Sequence, residues 1–126
     1  MTDNFLMMVS VPIKTVSELN VVEHWAKRAK RAKEQRALTA MVLANAAASG
    51  DITGAITLPA LVTITRIAPR ELDSDNLAAS QKHIRDGVAD WLNVDDRHHE
   101  RVAYQYKQRK GKPKEYAVEV LIERKS

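Results

Sequence analysis

The sequence predicts an α+β fold: a single domain over residues 1–126, one mixed sheet packed with two helices, elements in the order β-α-β-α-β-β. Three observations predict it. Two apolar runs, Phe5–Pro12 and Ala60–Ala68, are each closed by proline. Two stretches, Val21–Ser49 and Leu77–Leu92, carry apolar residues at helical spacing. Two further alternating runs flank a Gly-Pro turn near the end of the chain.

Phe5–Pro12 (FLMMVSVP) is a continuous apolar run and reads as a buried strand. Lys14–Asn20 is polar and reads as a loop, with Ser17 or Asn20 available to cap the next element. Val21–Ser49 is rich in Ala, Lys, Arg and Leu and predicts a long helix, stopped at Gly50. Leu38, Met41, Val42 and Asn45 share a face in its second half and predict docking on a core. Its first half has basic residues nearly all round. That pattern is either a solvated face or a face for phosphate. Asp51–Leu58 reads as a loop or short edge element, and Ala60–Ala68 (ALVTITRIA) alternates as a strand. Leu77–Leu92 predicts a second helix with Leu77, Ile84, Val88 and Trp91 or Leu92 on one seam and Asp75 or Asn76 as cap. Val102–Gln108 and Glu115–Ile122 flank Lys110-Gly111-Lys112-Pro113 and read as a hairpin.

Composition narrows the chemistry. With 44% hydrophobic and 29% charged residues the chain is globular rather than disordered. It has no cysteine, which excludes disulfides, thiolate metal sites and a thiol nucleophile. Phe5–Val11 is too short to span a bilayer, and Asp3 stands where a signal peptide would carry a cation, so a cytoplasmic protein with no membrane partner is expected.

Charge is unevenly placed. Between Glu71 and Glu100 eight carboxylates face only Lys82, Arg85 and Arg97, so this window carries −5 in a chain of net +4. Clustered carboxylates repel unless a cation sits among them. Mg²⁺ is held by one or two carboxylates together with water and substrate phosphate. From Lys14 to Arg36 there are seven cations against three glutamates, and from Lys107 to Lys114 five cations and no acid. Such a surround attracts a polyanion. A metal-dependent enzyme acting on nucleic acid is the function class this implies. A DNA-binding protein whose carboxylates only cap a helix and pair with cations is the alternative from another class.

Asp73 and Asp75 lie two apart between a strand and a helix, and in extended backbone such residues point the same way. Asp95 and Asp96 come after the helix. A continuous helix over Leu77–Leu92 separates its ends by about 24 Å. Asp96 therefore meets Asp73 only if the helix is shorter, the loop folds back, or a second chain supplies it. Lys82 lies four residues before Asp86, as a surface ion pair would, or as a cation stabilising charge on a phosphoryl group. His98-His99-Glu100 lacks a spaced partner and reads as a solvated loop rather than a metal site. Trp91 falls on the apolar seam. Trp25 is open to base stacking.

The stretch LDSDNLAASQKHIRDGVADWLNVDD resembles the signature of the RusA-type Holliday junction resolvases of phages and prophages: Asp-x-Asp-Asn-Leu, a helix bearing Lys and Asp, then Asp-Asp. The close match covers about a quarter of the chain. The resemblance implies Asp73, Asp75 and Asp96 as catalytic, Mg²⁺-holding aspartates and Lys82 as the catalytic lysine, with Ala78-Ala79-Ser80 taken as an insertion. Ungapped, the lysine position falls on Ala79. Asn76 and Asp86 match supporting positions. It further implies a homodimer, cytoplasmic in a bacterial or phage-infected host cell, that cuts a four-way DNA junction by paired symmetric nicks in recombination and repair. On this view Lys27, Arg28, Lys30, Arg31, Lys107, Arg109, Lys110 and Lys112 bind the junction arms through their backbones. A Mg²⁺ nuclease on another branched DNA is the remaining alternative.

Overall fold

The computed structural model describes residues 4–19, 22–50, 58–94 and 100–125. Seven elements succeed one another: β1 (Phe5–Val11), α1 (Trp25–Ala48), β2 (Ala60–Ala68), α2 (Ser74–Ser80), α3 (Lys82–Leu92), β3 (Val102–Lys110) and β4 (Ala117–Arg124). They build an α+β domain with one mixed four-stranded sheet, as expected, in the order β1-β4-β2-β3. β4 runs antiparallel to both β1 and β2, and β3 runs parallel to β2. β1, β2 and β3 therefore point the same way and end on the same side of the molecule.

Alternation sorts the strands into two faces. Met7, Val9 and Val11 of β1, Ile122, Val120 and Val118 of β4, and Val62 and Ile64 of β2 form one row after another on the buried face. A bulge after Phe5 turns Leu6 and Met7 both into the core. Leu43 of α1 and Ile84 and Val88 of α3 close over this face. Burying one such side chain contributes about 1.5–3 kcal/mol, so this layer is the main source of stability. Trp91 packs against the same core, as its place on the seam implied.

The hairpin expected between β3 and β4 does not form; β2 lies between them. β2 is buried at seven of its nine positions, so its natural place is inside the sheet with a partner on each edge. The Gly111 turn bridges its end: Gly111 N–H donates to the Ala68 carbonyl at 2.8 Å, and the chain then crosses to β4. A side chain at Gly111 would come within 3.0 Å of the Ile67 methyl.

The helices also depart from expectation. α1 begins at Trp25 rather than Val21, because the His24 imidazole caps it by accepting the Ala26 N–H at 3.1 Å. Gly50, at φ +82, closes it as predicted. Its buried positions are Gln35, Thr39 and Leu43, while Met41 and Asn45 face solvent. The reason is Gly87 of α3, where an added Cβ would lie 2.5 Å from the Arg36 carbonyl oxygen and 2.8 Å from Thr39 Cβ. The helices touch backbone to backbone there, so the contact selects the small Thr39. Arg36 and Asp90 pair across the same crossing, and the Arg36 guanidinium holds the Asp90 carboxyl below its usual range.

The predicted single helix over Leu77–Leu92 is two helices, broken at Gln81, so three helices pack on the sheet rather than two. Gln81 is wholly buried at the break, and α2 starts earlier than expected because Asp73, not Asp75 or Asn76, is its cap. Among the described residues no helix is long and apolar enough to cross a membrane.

Candidate metal and nucleic-acid site

The site lies at the side of the sheet where β1, β2 and β3 end. The loop after β1 leads into α1, the loop after β2 carries Asp73, and β3 ends on Lys110 with Lys112 in the turn beyond it. In open α/β sheets, ligands bind beyond the carboxyl ends of the strands. Lys110 is the register partner of Ala68, which places the basic turn beside the strand that leads to Asp73.

Asp73 is exposed, and its Oδ1 accepts both the Asn76 N–H and the Asn76 side-chain amide, each at 2.9 Å. The backbone donor first, and then the amide, hold its carboxyl below the usual carboxylate range. Asp75 is exposed one turn-position further on, in the first turn of α2. The pair stands together at a helix start rather than by strand alternation, which corrects the geometry inferred from the spacing.

Four side chains fix the segment that carries them. Gln108 clamps Leu72, accepting its N–H at 2.9 Å and donating to its carbonyl at 2.7 Å. Its register partner Arg66 donates to the Arg70 carbonyl at 2.6 Å and to Thr15 Oγ1 at 3.1 Å. Arg66 is almost wholly buried, and that burial lowers its pKa. Ser17 hydrogen-bonds to Asn76, which ties the loop after β1 to the start of α2.

Lys82 opens α3 and is exposed. It lines an open cavity of about 340 Å³ together with Ala78, Ala79, Arg85, Asp86 and Tyr106. The break at Gln81 puts Asp75 and Lys82 on separate helices, so a single helical wheel does not relate them. It also brings Ala79, the ungapped position of the lysine, and Lys82 to the same cavity. Asp86 shares it. Arg85, which the sequence did not single out, stands 4.7 Å from the centre of the Tyr104 ring and donates to the Tyr106 hydroxyl at 3.4 Å. The alternation of Tyr104, Tyr106 and Gln108 along β3 was the available signal that these three share one face.

Asp96, with Asp95, His98 and His99, lies outside the described residues. The flanking Arg101 sits at the opposite end of β2, where its carbonyl accepts the Ala60 N–H at 2.9 Å. A nine-residue strand separates that point from Ala68 by about 26 Å. Among the described residues no group of three or more His, Asp or Glu side chains gathers as a metal cage.

The basic residues divide. Lys27, Arg28 and Lys30 are exposed on the first turns of α1. Arg31 turns inward instead: its guanidinium binds Glu18 at 2.7 and 3.0 Å and also pairs with Glu23. These carboxylates raise the Arg31 pKa, and Arg31 in turn lowers that of Glu23. Lys107 and Arg109 point away from the helices, and Arg109 pairs with Glu119 at 2.6 Å. Lys110 and Lys112 are exposed at the end of β3 and in the turn beyond it.

An uncharacterized protein of Xylella fastidiosa (strain Temecula1 / ATCC 700964) is 36% identical to this chain over 90 residues. The match takes in 68% of this chain and 56% of that protein, so the chain corresponds to little more than half the relative's length. No family model matches the chain, and no solved structure gives a significant match.

Proposed function

We propose that this chain is a Mg²⁺-dependent, structure-selective endodeoxyribonuclease that resolves four-way DNA junctions by paired nicks, acting as a homodimer in the cytoplasm of a bacterial or phage-infected cell. The observation that carries the reading is the meeting, at one end of the sheet, of two exposed carboxylates with the basic start of α1 and the basic turn after β3. The resemblance of the Asp73–Asp96 stretch to the RusA-type resolvases supports it.

The donor chemistry fits the metal. Asp73 is held ionised by Asn76, Asp75 stands beside it, and hard carboxylate oxygens in small number suit Mg²⁺. Asp73 and Asp75 would hold the ion, which would supply an activated water and positive charge at the scissile phosphate. Lys82 supplies positive charge in the neighbouring cavity. Lys27, Arg28, Lys30, Lys110 and Lys112 hold DNA arms through phosphate, which gives position without base reading. Gln108 and Arg66 keep the Asp73 segment from shifting. The third carboxylate, Asp96, comes from the resemblance.

A non-catalytic DNA-binding protein is the second reading, favoured by the capping role of Asp73. Incubation with a synthetic four-way junction, with and without Mg²⁺, tests both. Symmetric Mg²⁺-dependent nicks support the nuclease. Binding without cleavage supports the second reading, and equal cutting of linear duplex points to a nuclease without junction selectivity.

A further inference from the structure

Six large apolar side chains stand exposed among the described residues, and three of them fall within seven positions: Leu19 (63%), Val22 (100%) and Trp25 (74%). Scattered exposed apolar residues are ordinary; three so close along the chain, one of them an indole, mark this segment as a surface for contact. Trp25 opens α1, with its ring 5.4 Å from the His24 imidazole. Lys27, Arg28 and Lys30 come next on exposed positions; Glu23 is bound to Arg31, and Lys30 pairs at 3.9 Å with the exposed Glu34. The patch belongs to the site's end of the sheet: Glu18, next to Leu19, pairs with Arg31, and Ser17 reaches Asn76 beside Asp73.

Charge decides the occupant. A symmetric contact between two copies would set Lys27, Arg28 and Lys30 against themselves, and the cores of protein interfaces are depleted in lysine. An indole rimmed by cations suits a nucleobase, whose face stacks on the ring while its phosphates meet the rim. Apolar wedges of this kind enter between base steps where the stack is already weak. We propose that Trp25, the exposed indole at the start of α1, stacks on an unstacked base at the branch point of DNA, so that α1 senses strand discontinuity rather than sequence. This rests on the nucleic-acid reading above and adds to it the source of structure selectivity.

The test uses Mg²⁺-free buffer, so that DNA stays intact. Dye-labelled four-way junction and linear duplex of equal length are titrated by anisotropy against the wild-type chain, Trp25→Ala and Trp25→Phe. Trp25→Ala is expected to raise the junction Kd about tenfold or more and to change the duplex Kd by less than about twofold. Trp25→Phe should recover most of the junction affinity. In a Trp91→Phe protein, where Trp25 alone emits, junction should quench the emission and duplex should not. Equal loss on both DNAs, or an unchanged junction Kd in Trp25→Ala, overturns the proposal. So does loss of a dimer in Trp25→Ala on sedimentation, which would assign the patch to a second copy. If the wild-type chain binds neither DNA at low salt, the nucleic-acid reading fails and the proposal with it; wild-type binding that is indifferent to Trp25 sinks the proposal alone.

Discussion

Gln108 holds Leu72 by both backbone groups, as a neighbouring strand would, although Leu72 lies beyond the end of β2. The clamp ties the loop four residues beyond β2 to β3 and so fixes the residue next to Asp73. Gln108→Leu removes both hydrogen bonds and leaves the Leu72 groups to water or to nothing. The expected cost is about 1–2 kcal/mol in urea unfolding. Faster amide exchange at Leu72 and weaker Mg²⁺ binding should accompany it, with phosphate-driven DNA affinity unchanged. Slow exchange at Leu72 in the variant would show that the clamp is not what orders this segment.

On the proposed reading Asp73 has two separable roles, helix cap and metal ligand. Asparagine caps a helix about as well as aspartate, whereas alanine does not. Asp73→Asn should therefore melt close to the wild-type temperature and Asp73→Ala below it, while both lose cleavage by about a hundredfold or more. The carboxyl itself should titrate below the usual carboxylate range in an NMR titration, and Asn76→Ala should move it back up. The cap's stability is then complete above the ordinary carboxylate pKa and is lost as pH falls through the lowered one.

Much of this was legible in the sequence, because periodicity depends on which faces are buried. β1, β2 and the docking of Trp91 follow from it. Other features were not legible. The break at Gln81 has no glycine or proline beside it, the nearest being Gly87 six residues on, and nothing local distinguishes it from a continuous helix. The Gly111-Lys112-Pro113 turn reads alike whether the chain returns beside β3 or crosses β2; the burial of β2 on both faces decides it. The clamp of Gln108 on Leu72 and the stacking of Arg85 on Tyr104 depend on register between distant segments. At the proposed site, Asp73, Asp75, Lys82, Asn76 and Asp86 were singled out by spacing and resemblance. The inward turn of Arg31 was invisible, because a charge run does not reveal which member meets Glu18.

That turn gives a contrast between neighbours. Lys27→Gln with Lys30→Gln should leave the melting temperature unchanged and reduce the salt slope of DNA binding by about 1.8. Arg31→Gln leaves Glu18 and Glu23 facing each other and should lower the melting temperature by a few degrees with a smaller change in slope. An Arg31 variant that melts as wild type and loses slope would mean that Arg31 meets phosphate after all.

His83 sits 3.5 Å from Glu18, which favours its charged form, yet burial prevails and its pKa is lowered. Asp86 also favours the charge, while Lys82 and Arg31 oppose it. The folded state then binds fewer protons than the unfolded state below the ordinary imidazole pKa. Stability should fall as pH drops from neutral through that value toward the lowered one, and His83→Gln should flatten the fall. Urea unfolding at pH 7.5 and pH 5.5 (about one unit either side of the ordinary value) reads this directly. A wild-type chain that gains stability on acidification would show that Glu18 outweighs burial.

The most direct test of the metal-nuclease account is single-turnover cleavage of a four-way junction in Mg²⁺ by the wild-type chain and by Asp75→Asn, with junction binding measured alongside. The account predicts paired nicks by the wild-type chain, a rate at least about a hundredfold lower in the variant, and binding equal or tighter, because a negative charge near phosphate has been removed. An Asp75→Asn chain that cuts at the wild-type rate, or a wild-type chain that binds the junction and leaves it whole in Mg²⁺, would contradict it.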